Sequence, residues 1–279
     1  MRRVVVAGAT GSIGRALTAR LREDGRQVIG VSRTAAGRDD VRLDLMTASS
    51  SWPAWPAADV TYICTGSGGL DECERDPART RQVNVDAVVT LAQRAEAAGS
   101  RVVFVSSSHV FDGQARISRA GDPRSPRTMY GRQKSEAESG VLETAGAAVL
   151  RLSRVVGPGD ARLNAWRTAL RAGRHVEAFA DLPVAPLSSA DAVTALIDVG
   201  EAGQPGVFQL SGPREESYFS MALAVAAHVG APASLVVRAS AAAAAVPPAF
   251  RPAGVLLEQT LPRPFDAAPL HVVVARSLL

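Results

Sequence analysis

The 279-residue sequence contains little lysine, cysteine or aromatic residue, and it has no long apolar run. Without 18 consecutive apolar residues it cannot form a membrane-spanning helix, and glycines interrupt its apolar start before a signal peptide could form. Its two cysteines, Cys64 and Cys73, form neither a CxxC motif nor a disulfide framework, which is typical of the reducing cytoplasm. We therefore expect a cytoplasmic protein with no metal site and no membrane partner.

Basic residues are numerous, but almost all of them are arginine. Lys134 is the one lysine among the 31 basic residues, and the formal net charge is +4. The arginines are scattered among 27 acidic residues, and aromatics make up only 5% of the chain. This pattern is typical of a mixed, solvated surface, so we expect no nucleic-acid partner. A site that uses Lys134 needs a property that arginine does not supply.

Short β-branched runs alternate with longer stretches rich in alanine and leucine over residues 1–160. Continuous apolar strands separated by helices indicate a parallel sheet covered on both faces. The sequence therefore predicts an α/β fold with a doubly wound, Rossmann-type parallel sheet and a smaller, discontinuous C-terminal substrate-binding part. We expect residues 1–157 and 188–212 to form the nucleotide-binding core, and residues 158–187 and 213–279 to form the substrate-binding part. The predicted strands are Val4–Ala7, Val28–Val31, Val60–Cys64, Val102–Ser106, Ala148–Val156 and Gly206–Leu210. The predicted helices are Ser12–Arg22, Asp76–Gly99, Tyr130–Ala145, Asn164–Ala172, Asp191–Gly200 and Ser217–Val229.

The first predicted strand runs into a glycine-rich turn, GATGSIG, which has the spacing GxxGxxG. Glycines permit a sharp turn and a close approach of the backbone to a pyrophosphate, and the following helix presents free N–H groups to the anion. Because the turn follows a strand and opens a helix, it predicts a dinucleotide-binding site. The residues of this site are Gly8, Thr10, Gly11, Ser12, Ile13 and Gly14.

The residues after the second predicted strand indicate which dinucleotide binds. An NAD site usually has an acidic residue there that bonds the ribose 2′-OH, whereas this chain has Ser32 and Arg33. Arg33 suits a 2′-phosphate by its charge and forked geometry, so the sequence favours NADP(H) over NAD(H). The alternative for Arg33 is an ordinary surface arginine. Asp44 stands where a carboxylate would accept from the adenine amino group, and a turn-stabilising role is its alternative.

Lys134 lies four residues after Tyr130, one of three tyrosines, and this spacing places both side chains on one face of a helix. A phenol exchanges protons poorly near neutral pH, and an adjacent ammonium group lowers its pKa. The pair therefore predicts an acid–base site, with a partly buried core tyrosine as the alternative. Upstream, the strand VVFVS ends in three serines, and a hydroxyl at this end of a parallel strand can polarise a substrate carbonyl. His109 follows, either as a structural or substrate-lining residue or as a third acid–base group.

Together, the glycine turn, the serine-ended strand and the YxxxK motif resemble the extended short-chain dehydrogenase/reductases. The segments DECE, VNV, SSSHVFDG, YGRQK, RLSRVVGPG and PLSSADAV are similar to those of the dTDP-4-dehydrorhamnose reductase family. The resemblance implies NAD(P)H-dependent reduction of a 4-keto sugar nucleotide by a homodimer. It places the catalytic hydroxyl on Ser107, the acid–base pair on Tyr130 and Lys134, and a cofactor-supporting asparagine on Asn84. Sugar dehydratases of this superfamily have an acid pair where this chain has Ser108-His109, which argues against dehydration.

The sequence thus predicts an NADP(H)-dependent oxidoreductase that transfers a hydride between nicotinamide and a ketone or secondary alcohol. The small-molecule substrate is a 4-keto sugar nucleotide or a related biosynthetic intermediate. Ser107 would hold its carbonyl, Tyr130 would exchange the proton, and Lys134 would lower the phenol pKa and orient the ribose. Two other functions stay open: a sugar-nucleotide epimerase that retains NAD(H), and a non-catalytic NADP-binding regulatory subunit. The candidate clamps for a substrate diphosphate are Arg167, Arg171 and Arg174, with solvent-exposed helix arginines as the alternative.

Overall fold

A computed structural model of the protein describes residues 3–34, 37, 39–67 and 69–278. Most of its longer strands coincide with the β-branched apolar runs of the sequence, because such side chains pack well on a pleated surface. In chain order the strands are β1 (Arg3–Ala7), β2 (Gln27–Ser32), β3 (Val41–Arg42), β4 (Val60–Ile63), β5 (Arg101–Ser107), β6 (Ile117–Ser118), β7 (Ala148–Leu152), β8 (Val155–Val156), β9 (Val176–Phe179), β10 (Pro183–Val184), β11 (Leu187–Ser188), β12 (Gly206–Leu210), β13 (Glu216–Ser217), β14 (Val236–Ala239) and β15 (Leu256–Leu257).

The helices alternate with the longer strands, as expected for a parallel sheet joined by crossovers. In chain order they are α1 (Ser12–Glu23), α2 (Leu70–Arg75), α3 (Pro77–Arg81), α4 (Ala87–Ala97), α5 (Met129–Leu142), α6 (Ala161–Arg171), α7 (Ser189–Ala202), α8 (Tyr218–Val229) and α9 (Leu270–Ser277). A π-helical turn, Gln82–Asp86, joins α3 to α4. Short 3-10 turns lie at Ser49–Ser51, Ser108–Val110, Ala233–Leu235 and Pro248–Phe250. In the described part of the chain, no helix is long and apolar enough to cross a membrane.

Seven of the strands form one parallel sheet in the order β12–β7–β5–β4–β1–β2–β3. The chain builds outward from β1 to β2 and β3, then returns to β4 on the other side of β1 and continues outward to β12. This reversal creates a crevice between β1 and β4 at the carboxyl ends of the strands, where doubly wound folds bind ligands. The predicted doubly wound parallel sheet is confirmed.

Residues of β1 alternate between two apolar cores, one on each face of the sheet. Val4 and Val6 belong to the core beneath α1 and α7, while Val5 belongs to the core beneath α4 and α5. These three side chains are at most 4% exposed. Burial of strands on both faces explains why they read in the sequence as continuous apolar runs rather than as alternating ones.

A third apolar core lies outside the sheet, between α6, α8, α9 and the strand pair β9–β14. Leu163, Met221 and Val273 are fully buried there. Nearby, β8 pairs with β11, β10 with β13, and β6 with β15. The assignment of 1–157 and 188–212 to nucleotide binding and of the remainder to substrate binding stays a prediction.

Two predicted elements differ from the structure. The predicted helix Asp76–Gly99 is divided into α3, the π-helical turn and α4. The predicted strand Ala148–Val156 ends at Leu152, where its pairing with β5 ends, and residues Val155–Val156 pair with β11 instead. This exit from the sheet turns the chain toward the third core.

Candidate active site

The glycine turn between β1 and α1 is too tightly packed to accept side chains. Gly8 has φ +83°, and a Cβ there would lie 2.9 Å from the carbonyl carbon of Cys64. A Cβ at Gly14 would lie 2.1 Å from the Gly8 carbonyl oxygen, so α1 could not start this close to β1. The glycines therefore leave the backbone of this turn bare and available for close approach.

The surroundings of this turn fit a bound dinucleotide. The helix α1 begins at Ser12, and its N-cap residue, Gly11, has no side chain to cap it. Its first turn contains no acidic residue, so its N-terminal N–H groups are free for an anion. At the ends of β4 and β5, the hydroxyl oxygens of Thr65 and Ser106 are buried without a hydrogen-bond partner in the described part of the chain. Buried hydroxyls of this kind normally have a partner, and a cofactor lying over both strand ends would supply one.

The residues predicted to favour NADP(H) over NAD(H) lie at the end of β2 and directly after it. Arg33 is exposed and forms no ion pair with the residues described, while the Ser32 hydroxyl donates to the carbonyl oxygen of Thr34 at 2.7 Å. The Asp44 carboxylate accepts from the backbone N–H of Met46 at 3.0 Å, which is the turn-stabilising role given above as its alternative. Asp44 is exposed, so its second carboxylate oxygen can still contact a ligand.

Asn84 lies in the π-helical turn, fully buried and away from the pocket surface. Its side-chain oxygen accepts from the backbone N–H of Ser67 at 2.8 Å, and its amide donates to the Gln133 side chain at 2.8 Å. Gln133 lies on α5 between Tyr130 and Lys134. Asn84 therefore ties the loop after β4 to the helix that carries the predicted acid–base pair, and π-helical turns often occur at such sites.

Ser107, Tyr130 and Lys134 line one pocket of about 800 Å³ at the carboxyl end of the sheet. Ser107 is the last residue of β5, and Tyr130 and Lys134 lie one turn apart on α5. Thr128 caps this helix by accepting from the Gly131 N–H at 3.1 Å. The same pocket is lined by Ser12 and Ile13, so the glycine turn and the predicted acid–base pair face a common space.

The protonation of Tyr130 differs from the expectation. Burial raises the pKa of this phenol to about 12, and its hydrogen bond with Ser107, rather than the charge of Lys134, opposes that rise. The Lys134 amine donates to the carbonyl oxygen of Val105 at 3.0 Å and lies 6.0 Å from the centre of the tyrosine ring. Burial also lowers the pKa of Lys134 to about 8. In this structure the phenol therefore keeps its proton at neutral pH.

We expect Lys134→Met to raise the free energy of unfolding of the cofactor-free protein by about 2 kcal/mol at pH 7. Lys134 is 4% exposed, and the pKa of its amine falls from 10.5 to about 8 on folding, so its charge destabilises the folded state. Between about pH 8 and pH 10 the unfolded wild-type chain binds more protons than the folded one, so wild-type stability rises with pH there. The variant lacks this rise. Urea unfolding across this pH range measures both effects.

Lys134→Arg is the matched control, because it keeps a positive charge at this site throughout the pH range. It should gain no stability at pH 7 and show no rise between pH 8 and pH 10. A Lys134→Met variant that unfolds at lower urea concentration than the wild type would contradict the prediction.

Arginines that the sequence did not single out also line the pocket. Arg162 lies in the first turn of α6, where its guanidinium carbon is 4.7 Å from the centre of the Tyr218 ring. Arg154 donates to the Asp160 carboxylate at 2.5 Å, and the exposed Arg127 has no acidic partner among the residues described. The candidate clamps lie elsewhere, since none of the three lines this pocket. Those three candidates are Arg167, Arg171 and Arg174.

The position of Arg162 follows from the start of α6, which begins at Ala161 rather than at the predicted Asn164. Asp160 caps the helix by accepting from the backbone N–H groups of Arg162 and Leu163, each at 3.1 Å. An aspartate before an apolar helical stretch is a start signal that could have located this turn.

The tail segment 246–257 forms a further wall of the pocket, and its lining residues are mostly apolar. Val246, Pro247 and Phe250 belong to this wall, and β15 within the segment pairs with β6. Residues 213–279 are predicted to belong to the substrate-binding part, but no sequence pattern indicates the pairing of β15 with β6. In the portion that the structure describes, no cluster of three His, Cys, Asp or Glu side chains could hold a metal ion.

Comparison with known proteins relates the chain to one family. The family model for the RmlD substrate binding domain matches residues 1–266. The beta subunit of methionine adenosyltransferase 2 from Bos taurus is 33% identical over 161 residues, which are 56% of this chain and 48% of that protein. The chain thus spans about half the length of this curated relative. The dTDP-4-dehydrorhamnose reductase of Mycobacterium tuberculosis is 28% identical over 238 residues, or 82% of this chain and 76% of that protein.

The fold is shared with solved structures of similar size. The dTDP-4-dehydrorhamnose reductase of Bacillus anthracis in complex with NADP has a TM-score of 0.85 and 17% identity, and the match covers 99% of this chain and 98% of that one. This structural similarity, at low sequence identity, confirms the predicted Rossmann-type α/β fold.

Proposed function

The chain belongs to the RmlD substrate binding domain family, and we propose that it is an NADP(H)-dependent oxidoreductase that reduces the keto group of a sugar nucleotide. The observation that carries this proposal is the placement of Ser107, Tyr130 and Lys134 in one pocket with the glycine turn. The names of relatives support it, since one is a dTDP-4-dehydrorhamnose reductase and another such reductase was solved with NADP.

In this proposal, three residues of the chain handle the carbonyl oxygen. The Ser107 hydroxyl accepts from the backbone N–H of His109 at 3.3 Å. Its own proton, which is shared with Tyr130 in this structure, is donated to the carbonyl oxygen when the substrate binds. When bound, NADPH supplies the hydride that reduces the carbonyl carbon. Tyr130 donates its phenol proton to the same oxygen, which yields the alcohol. Lys134, one turn further along α5, holds the cofactor ribose through its ammonium donors.

The raised pKa of Tyr130 keeps the phenol in the protonated form that ketone reduction uses. A phenol with a pKa of about 12 is fully protonated at neutral pH, so it is ready to donate when negative charge develops on the carbonyl oxygen. Oxidation of an alcohol would instead require the phenolate, which this environment disfavours.

The pocket arginines support an anionic substrate. Arg127 and Arg162 are exposed in the pocket wall and have no acidic partner in the described part of the chain. A guanidinium group binds phosphate oxygens through two parallel hydrogen bonds. Stacking on Tyr218 leaves the N–H donors of Arg162 available for this purpose. We assign these two arginines to the diphosphate of a sugar nucleotide.

The choice of NADPH over NADH is tested at Arg33. We expect Arg33→Ala to weaken NADPH binding by about tenfold or more, because a charged hydrogen bond to the 2′-phosphate is lost. Binding of NADH, which lacks that phosphate, should not change. Fluorescence titration of the two dinucleotides measures both affinities.

The control for this experiment is Arg20→Ala, which removes an exposed arginine of α1 that pairs with Asp24, the residue after the helix. Its affinity for both dinucleotides should match the wild type. Wild-type protein that binds NADH as tightly as NADPH would remove the role given to Arg33.

Turnover is tested with a dTDP-linked 4-keto-6-deoxyhexose by following NADPH oxidation. Loss of NADPH absorbance that depends on the sugar nucleotide supports the proposal.

A protein that binds NADPH but turns over neither this compound nor smaller ketones would instead be a binding subunit. The 33% identity to a methionine adenosyltransferase 2 beta subunit favours this second candidate. The presence of Ser107, Tyr130 and Lys134 in one pocket favours the enzyme.

Two further parts of the proposal concern the setting of the protein. Cys64 and Cys73 are both free thiols, which supports a reducing cytoplasmic location. The homodimer expected from the family resemblance stays a prediction, and size-exclusion chromatography with light scattering would measure it.

A further inference from the structure

His109 occupies a position beside both hydroxyl groups of the candidate active site. It follows Ser107 by two residues in the 3-10 turn after β5, and its ring lies in the pocket wall. The imidazole and the Tyr130 ring meet edge to face, with centroids 5.8 Å apart and planes at 78°. Nothing in the mechanism above uses this side chain.

Backbone contacts hold His109 in place. Its N–H donates to the Ser107 hydroxyl at 3.3 Å, and its carbonyl oxygen packs so closely on α5 that a Cβ at Gly131 would lie 2.0 Å away. The next residue, Val110, is completely buried. These contacts fix the position of the His109 backbone, and therefore of the Cβ that carries the imidazole, relative to Ser107 and Tyr130. A residue that binds a ligand selectively must be held in place in this way.

The ring nitrogens of His109 have no hydrogen-bond partner among the residues that the structure describes. Burial lowers the pKa of this imidazole, and no carboxylate opposes that shift. A neutral imidazole has one donor and one acceptor nitrogen. His109 is part-exposed, and neither ring nitrogen is sealed from the pocket space. Both are therefore available to hydrogen-bond a ligand that displaces water from the pocket.

We infer that His109 is a specificity-determining residue that hydrogen-bonds a hydroxyl group on the carbon next to the reacting carbonyl. In the proposed reaction Ser107 and Tyr130 both hydrogen-bond the carbonyl oxygen of the substrate, and His109 lies beside both residues. Substituents on the adjacent carbon are therefore the next substrate atoms within its reach. The chain would accordingly prefer α-hydroxy ketones, the arrangement found in a keto sugar ring, over ketones with hydrocarbon on that carbon. This inference rests on the proposed ketone reduction.

The test compares two ligands that differ by one hydroxyl group. The ligands are a dTDP-linked 4-keto-6-deoxyhexose and its 3-deoxy analogue, which lacks the hydroxyl next to the carbonyl. Wild-type protein should favour the hydroxylated compound by about tenfold in kcat/KM, a ratio typical of one hydrogen bond made in a dry site. Calorimetric binding to the NADP-loaded protein should show a preference of the same direction.

Two variants separate hydrogen bonding from ring packing. His109→Phe keeps an aromatic ring against Tyr130 but cannot hydrogen-bond, so its preference should fall to about one. His109→Gln retains a donor and an acceptor without the ring and should keep part of the preference. The control His175→Phe changes an exposed histidine on another surface and should behave as the wild type.

Each outcome decides the inference. Equal use and equal binding of the two ligands by the wild type overturn it, and so does a full preference retained by His109→Phe. If the wild type oxidises NADPH with neither ligand, the proposed reduction fails, and calorimetry still decides whether His109 recognises the hydroxyl. If neither ligand binds, both proposals are overturned.

Discussion

Tyr130→Phe is expected to lower kcat for ketone reduction by about a thousandfold while leaving the affinity for NADPH unchanged. The variant removes only the phenol hydroxyl, whose hydrogen bond is with Ser107. Without it, the negative charge that develops on the carbonyl oxygen has no proton donor of its own. The phenyl ring still packs edge to face against His109, so the fold should not change. Single-turnover NADPH oxidation and fluorescence titration measure the two quantities.

Tyr62→Phe provides the control for loss of a phenol hydroxyl elsewhere in the chain. Tyr62 lies in β4 within the apolar core and is 2% exposed. Its replacement should leave turnover within about twofold of the wild type, because the change is remote from the pocket. A Tyr130→Phe variant that retains wild-type turnover would refute the assignment of the proton donor.

The second large effect is expected at the buried ion pair between Glu138 and Arg151. Glu138→Leu should reduce the free energy of unfolding by about 3–5 kcal/mol, because it leaves a buried guanidinium group without its counter-ion. Glu138 is fully buried and lies one turn after Lys134 on α5, and Arg151 lies on β7. The two side chains meet at 2.8 Å. Urea unfolding measures the change.

The double variant Glu138→Leu/Arg151→Met tests the cause of this loss. It removes both charges of this pair and leaves Arg124, which lies 3.4 Å from the Glu138 carboxylate but is part-exposed. Because water can still solvate Arg124, we expect the double variant to recover most of the stability lost by the single variant. The exposed pair Arg20–Asp24 provides the control, since Arg20→Ala should change stability by less than about 1 kcal/mol. A Glu138→Leu variant no less stable than this control would contradict the expectation.

The central sheet could be predicted closely because its strands are buried on both faces. The run at Gly206–Leu210 matches the observed strand at both ends, and Val4–Ala7 and Val60–Cys64 each differ by one residue. Apolar runs bounded by glycine or charged residues provide a local signal for such strands. The glycine turn and the Tyr130–Lys134 pair could also be predicted, because each is a short motif whose spacing along the chain brings its residues together.

Contacts between distant segments could not be predicted in this way. The pairing of β15 with β6 joins two-residue strands that are far apart in the chain, and so short a strand has no periodicity to detect. The π-helical turn likewise has no compositional signature, so Asp76–Gly99 looked like one helix. The burial of Tyr130 could not be predicted either. The sequence shows that Lys134 carries a charge, but it does not show the desolvation that raises the Tyr130 pKa.

The position of Lys134 has a practical consequence for chemical labelling. It is the one lysine of the sequence, and an amine with a pKa of about 8 is deprotonated far more often at neutral pH than an ordinary lysine amine. Any acyl or methyl group found on a lysine side chain of this protein must therefore lie in the pocket beside Tyr130. After labelling with an acylating reagent, mass spectrometry should find the added mass on the peptide that contains Lys134. If a bound dinucleotide suppresses this labelling, the loss of label measures occupancy of the site without an assay for turnover.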